Sequence, residues 1–138
     1  MWIFYDFVRM NILALDHGIK NIGLAWCQTG LDVVLPFGVI QTTNWKQQLP
    51  KLIKEEAIDK LVVGLPRNQH GERGERNMKR VGAFLEELKH MVSIPIDVHE
   101  ETRSSKQADA MASEGSGSKR DERAAMVILQ AYIESTQS

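Results

Sequence analysis

The chain has 138 residues, enough for one domain with a real hydrophobic core and too few for two. A hydrophobic fraction of 43% and a charged fraction of 25% exclude disorder as the default, and a formal net charge of -1 excludes the overall basic character usual in nucleic-acid binders, so such a partner would have to be held by local patches. The single cysteine, Cys27, excludes an intramolecular disulfide and a cysteine-rich zinc site, and suits a reducing compartment.

Residues 1–9 are aromatic-rich but broken by Asp6 and Arg9. They lack the basic start of a signal peptide and are far too short to span a bilayer, so a cytoplasmic protein with no membrane attachment is expected by elimination. This stretch reads as an appendage or an extra strand edge ahead of Met10. Over Asn11–Ala25 an apolar run, Ile12-Leu13-Ala14-Leu15, reaches a carboxylate at Asp16, turns through Gly18, presents Lys20 and re-enters an apolar run through Gly23. That predicts a strand, a tight turn and a second strand. Cys27, at the end of the second strand, reads as core filler.

Val33–Ile40 predicts a third strand, with Pro36 and Gly38 arguing for an edge position or a bulge, and the three strands together predict an antiparallel meander. From Asn44 the spacing of Trp45, Leu49, Leu52 and Ile53 is helical, with Pro50 expected in the first turn or at a kink. Leu61–Pro66 is a continuous apolar run, as in a strand buried on both faces. A polar loop over Arg67–Gly74 follows, and then a second helix marked by Val81, Leu85, Leu88 and Val92. Ile94–His99 supplies a fifth strand, a short helix is expected over Ser104–Ala112, and Ser113–Ser118 is flexible by composition. Ala124, Ala125, Ile128, Leu129, Tyr132 and Ile133 mark the last helix, and the same stripe run backwards puts Asp121 at its start, facing the core. The expectation is a single α/β domain over residues 1–138: a mixed five-stranded sheet, three strands antiparallel plus two parallel, flanked by helices.

Ligands of such sheets gather at the carboxyl ends of parallel strands, where this chain carries Asp16 after strand one and Glu100 and Glu101 after strand five, with Asp121 opening the last helix. Taken singly, Asp121 reads sooner as a helix N-cap and the glutamates sooner as a solvated loop, since exposed acids are common. Asp16 resists a bland reading, because a charge beside a buried strand is costly unless paired or ligating metal. Converging acids repel unless a cation relieves them; hard divalent ions with oxygen ligands do so, and a pair of such ions supports phosphodiester hydrolysis. His17, His70, His90 and His99 show no metal-protease spacing, and no serine or cysteine nucleophile has a recognisable partner. Cations cluster locally at Arg67, Arg73, Arg76, Lys79 and Arg80, at Arg103 and Lys106, and at Lys119, Arg120 and Arg123, which suits a phosphate backbone crossing an acidic rim. For Lys79 and Arg80 a solvated helical face is the competing reading.

Four pieces then match one family in order: Asp16-His17-Gly18-Ile19-Lys20-Asn21-Ile22-Gly23-Leu24-Ala25; Val62-Val63-Gly64-Leu65-Pro66 with Asn68 and Gly71; His99-Glu100-Glu101-Thr102-Arg103-Ser104-Ser105; and Asp121 with Ala124-Ala125 and Ile128-Leu129-Gln130. Over residues 11–134 the chain resembles the YqgF family of Holliday-junction-resolvase-like, pre-16S rRNA nucleases. The resemblance implies a ribonuclease H-like fold and a Mg²⁺- or Mn²⁺-dependent nuclease whose metal-binding, catalytic acids are Asp16, Glu101 and Asp121. Lys20, Arg67, Arg103, Lys119 and Arg120 are the expected nucleic-acid contacts. Two positions depart from the family pattern: Glu100 stands for its aspartate and Thr102 for its arginine, which removes a bidentate partner for phosphate. The expected substrate is the 5′ end of precursor 16S rRNA, in ribosome biogenesis. Branched DNA and a non-catalytic RNA- or protein-binding role are the alternatives, and the protein is expected as a monomer or homodimer. An actin-like ATPase, which shares the sheet and the Asp-x-Gly turn, needs two such domains, and the chain is too short for them.

Overall fold

The computed structural model describes residues 9–31, 33–66, 71–101 and 117–136. Five strands, β1 (Asn11–His17), β2 (Asn21–Gln28), β3 (Leu35–Gln41), β4 (Lys60–Pro66) and β5 (Ile96–Glu101), form one sheet in the order β3-β2-β1-β4-β5. The first three pair antiparallel, while β4 runs parallel to β1, and β5 parallel to β4. This is the mixed sheet expected, with β3 at an edge and a register shift opposite it between Gly23 and Ala25. Three α-helices are described: α1 (Trp45–Glu55) after a short 3-10 turn, α2 (Gly71–Met91) and α3 (Gly117–Thr136).

Strand alternation sorts the side chains onto two faces. Leu13 and Leu15 of β1, Ile22 and Leu24 of β2, and Leu61 and Val63 of β4 meet Trp45 and Leu49 of α1 and Phe84 and Leu88 of α2. The other parity, Ile12 and Ala14, Ala25 and Cys27, and Val62, meets Ala125, Ile128, Leu129 and Tyr132 of α3. Both faces of the central strands are therefore dry, which explains why β1 and β4 read as unbroken apolar runs. Cys27 is buried, and burial raises its thiol pKa, in line with a core role. Among the described residues no helix is long and apolar enough to cross a membrane.

Several boundaries differ from expectation for identifiable reasons. The parallel ladder with β4 continues to Pro66↔Glu101, so β5 runs through Glu101 and the two glutamates belong to the strand rather than to a loop after it. Helix α2 already begins at Gly71, which has φ +84, and buries Gly74, so its first turn occupies the second half of the predicted polar loop. Pro50 is the sixth residue of α1, beyond the first turn. Helix α3 begins at Gly117, so Gly117 and Ser118 are helical and Asp121 stands a full turn inside the helix, which removes the N-cap reading. A helix docked along most of its length extends by one bond per added residue, so it runs back past its apolar stripe. The expected segment 1–9, apart from Arg9, lies outside the described residues, as do the helix over 104–112, Arg67, Thr102 and Arg103.

Candidate functional site

Asp16 is the sixth residue of β1 and shares parity with Ile12 and Ala14, so its side chain stands on the α3 face, half-buried. Across the ladder it pairs with Gly23 of β2, and on the other side it lies one step beyond the Leu15↔Val63 pair, beside Gly64 of β4. The acid is thus flanked in the sheet by two residues without side chains. Each empty position is filled from above. A Cβ on Gly23 would lie 2.0 Å from the carbonyl oxygen of Asp121 and 3.1 Å from its Cα, so the backbone of α3 rests directly on β2 at Asp121. A Cβ on Gly64 would lie 2.3 Å from Ile128 Cδ1 and 3.4 Å from Glu101 Oε2, so the Glu101 carboxylate leans back over β4.

Glu101 reaches that place because β5 alternates. Asp97 and His99 touch Tyr132 of α3, one by hydrogen bond and one edge-to-face with ring centroids 6.4 Å apart, and Glu101 follows with the same parity. Its Oε1 is buried. Glu100 takes the opposite parity and is exposed, so of the adjacent glutamates one faces α3 and one does not. The fold therefore brings Asp16, Glu101 and the Asp121 turn of α3 to one rim of one face. Among the described residues no three Asp, Glu, His or Cys side chains form a ready-made metal cage.

The expected nucleic-acid contacts fall into two groups. Lys20 is exposed on the β1–β2 turn, which is pinned where Gly18 N–H donates to Asn21 O (2.9 Å), Thr42 Oγ1 to Gly18 O (2.9 Å) and Thr42 N–H to Lys20 O (2.9 Å). Lys119 and Arg120 are exposed in the first turn of α3, directly before Asp121. Arg67 and Arg103 lie outside the described residues.

Sequence reasoning missed Arg80. Rather than lying on a solvated face, its guanidinium reaches the end of β1: Nε donates to His17 Nδ1 (3.3 Å), Nη2 to His17 O (3.3 Å) and Nη1 to Asn77 Oδ1 (2.8 Å). Burial lowers its pKa, and the charge of Asp16 opposes that shift. His17 turns away from Asp16 onto the α2 face, with its ring centroid 4.4 Å from that of Phe84. Burial, and then the Arg80 charge, lower its pKa to about 4, so at neutral pH the imidazole is uncharged and Nδ1 is an acceptor. The signal was present in the spacing: Asn77, Val81, Phe84 and Leu88 follow steps of three and four, and Arg80 borders that stripe. Lys79, its neighbour, is exposed as the solvated-face reading expects.

The sequence profile of the RuvX family, described as Holliday junction resolvase, matches residues 10–135. A protein of Desulforamulus reducens named "Putative pre-16S rRNA nuclease" is 33% identical over 138 residues, an alignment covering 91% of this chain and 98% of the relative. One of the same name from Pelotomaculum thermopropionicum is 31% identical, with 91% and 88% covered. Among solved structures, RuvC of T. thermophilus in complex with a Holliday junction substrate is similar with a TM-score of 0.60 at 14% identity, over 94% of this chain and 97% of that one. At that identity the likeness speaks to the fold.

Proposed function

Because the chain belongs to the RuvX family, matched over residues 10–135, we propose that it is a cytoplasmic nuclease that hydrolyses phosphodiester bonds in precursor 16S rRNA, with Asp16, Glu101 and Asp121 as its metal-binding acids. The observation that carries the site is the side-chain-free floor at Gly23 and Gly64, on which the Asp121 turn and the Glu101 carboxylate close over the two neighbours of Asp16. The donor set fits Mg²⁺ or Mn²⁺: it consists of hard carboxylate oxygens, and Mg²⁺ is held by one or two carboxylates together with waters and substrate phosphate, so no complete protein cage is needed. When bound, such ions supply an activated water and stabilise the departing oxygen.

The chain's own part in the reaction is positioning. Asp16 offers oxygens from a strand fixed on both sides by ladder pairing, and rigid elements hold catalytic groups better than loops do. Lys20, Lys119 and Arg120 border the acidic rim as phosphate contacts, and Arg67 and Arg103 are assigned the same role. The names of the relatives favour precursor rRNA; branched DNA is the substrate that the family's description names, and the RuvC likeness adds to it a fold and no more. The test is cleavage of a precursor 16S rRNA fragment in Mg²⁺. Wild type should cleave, EDTA should stop it, and Asp16→Asn should lower the rate by at least about a hundredfold, the order of effect of losing one group that stabilises charge in a transition state. Equal rates for wild type and Asp16→Asn would overturn the assignment.

A further inference from the structure

We infer that Arg80 is a positioning residue for this site: from the opposite face of the sheet it reaches round the end of β1 and fixes the strand terminus on which Asp16 stands. Among the described residues, two of its three hydrogen bonds land on one residue, His17, one on the ring and one on the backbone carbonyl. Together they clamp the residue that directly follows Asp16. The third, to Asn77 three residues earlier on α2, holds the guanidinium in place. Phe84 packs against the His17 ring, with ring centroids 4.4 Å apart. The β2 ladder holds Asp16 against Gly23 and His17 against Ile22, whereas on the β4 side pairing ends at Leu15↔Val63. The Arg80 bonds thus add a second hold on the strand end beyond that last pair. Without Arg80, the carboxyl-terminal side of Asp16 would lose two of the contacts that keep it from pivoting.

An aliphatic side chain at position 80 would border the Val81, Phe84 and Leu88 stripe without the cost of burying a guanidinium. What the arginine adds is a planar fork able to engage ring nitrogen and carbonyl at once, together with a positive charge that interacts with Asp16. That charge offsets part of the repulsion among acids gathered on one rim.

The inference rests on the nuclease reading, and the experiment separates the two. Wild type, Arg80→Ala, Arg80→Lys and, as a control that removes a cation from the far end of the same helix, Lys89→Ala are compared for cleavage of the precursor rRNA fragment and for Mn²⁺ affinity by calorimetry without RNA. Arg80→Ala should lower kcat about tenfold or more, because small displacements of a catalytic group have effects of that size. Its KM should stay within about twofold and its Mn²⁺ affinity should weaken about threefold or more, both following from a misplaced Asp16 rather than a lost substrate contact. Arg80→Lys keeps the charge but replaces the planar fork with a shorter, single ammonium, so it should fall between wild type and Arg80→Ala, and Lys89→Ala should match wild type. Wild-type kcat and Mn²⁺ affinity in Arg80→Ala, or a change confined to KM, would overturn the positioning role while leaving the nuclease reading intact. If Arg80→Ala does not fold, Arg80→Lys carries the test, and wild-type values in it overturn the role. A wild-type protein that neither cleaves nor binds Mn²⁺ overturns the nuclease reading itself.

Discussion

A methyl group at Gly23 would stand 2.0 Å from the Asp121 carbonyl oxygen and 2.4 Å from its carbonyl carbon, whereas at Gly64 it would meet the end of a side chain, Ile128 Cδ1 at 2.3 Å. Backbone of a docked helix cannot step aside, while an isoleucine terminus can rotate or be shortened. Gly23→Ala is therefore expected to cost about 3 kcal/mol, the upper end of overpacking effects, and Gly64→Ala about 1–2 kcal/mol. Ile128→Val removes Cδ1 at a cost of about 1 kcal/mol by itself, yet in combination with Gly64→Ala it should recover part of the loss. The double variant would then be more stable than the sum of the two single changes, by about 0.5 kcal/mol or more. Urea denaturation of the four proteins measures this, and strict additivity would show that the two residues do not share the space above β4. The same geometry separates function from stability. Gly23→Ala moves the turn carrying Asp121, so its cleavage rate should fall by more than its stability loss accounts for.

Helix α3 is anchored at both ends. At its start Glu122 Oε2 accepts from the Gly38 N–H of edge strand β3 (2.9 Å), and near its end Tyr132 OH donates to Asp97 Oδ2 of β5, with Lys60 Nζ 3.1 Å from the same oxygen and 3.2 Å from the Tyr132 hydroxyl. The hydrogen bond from Tyr132, and then Lys60, hold the Asp97 carboxyl below its ordinary value of 3.8. A depressed folded pKa means the unfolded chain takes up the proton first. The Asp97 contribution is thus complete above pH 3.8 and is lost as pH falls through that value toward the folded pKa. With the Asp97 side chain 43% exposed the effect is screened to about 0.5 kcal/mol. Asp97→Asn should accordingly be less stable than wild type at pH 6 and closer to it at pH 3, as read from denaturation midpoints; a constant gap would count against the linkage. These anchors also show what the sequence could convey. Asp16 was legible because an acid after four apolar residues violates a local rule, and Ile128 and Leu129 because helical periodicity is local. Which of Glu100 and Glu101 faces α3 depended on where β5 stops, and only its pairing with β4 sets that. The place of Arg80 beside the apolar stripe was legible, but its role was not, because its partner lies 63 residues away and charge on a helix surface ordinarily means solvent.

At the scale of the whole molecule, a net charge of -1 leaves little long-range field to draw in a polyanion, so affinity for nucleic acid would have to come from local groups of cations, and the proposed ones lie beside the acidic rim. Lys20, Lys119 and Arg120 are exposed there, on the β1–β2 turn and at the start of α3. Lys51 and Lys54 are exposed on α1, which covers the other face of the sheet. Each phosphate contact releases counterions, contributing about 0.7 to the slope of log K against log salt for a single strand and about 0.9 for a duplex. If the backbone of the precursor rRNA crosses this rim, the double substitution Lys119→Ala with Arg120→Ala should weaken binding and lower that slope by about 1.4–1.8. Lys51→Ala with Lys54→Ala changes the net charge equally and should leave the slope near the wild-type value. Measuring RNA binding between about 50 and 200 mM salt, in Ca²⁺ to prevent cleavage, separates local contact from overall charge. Equal slope changes in the two double variants would mean that net charge alone governs binding, and the phosphate track would then have to leave the start of α3.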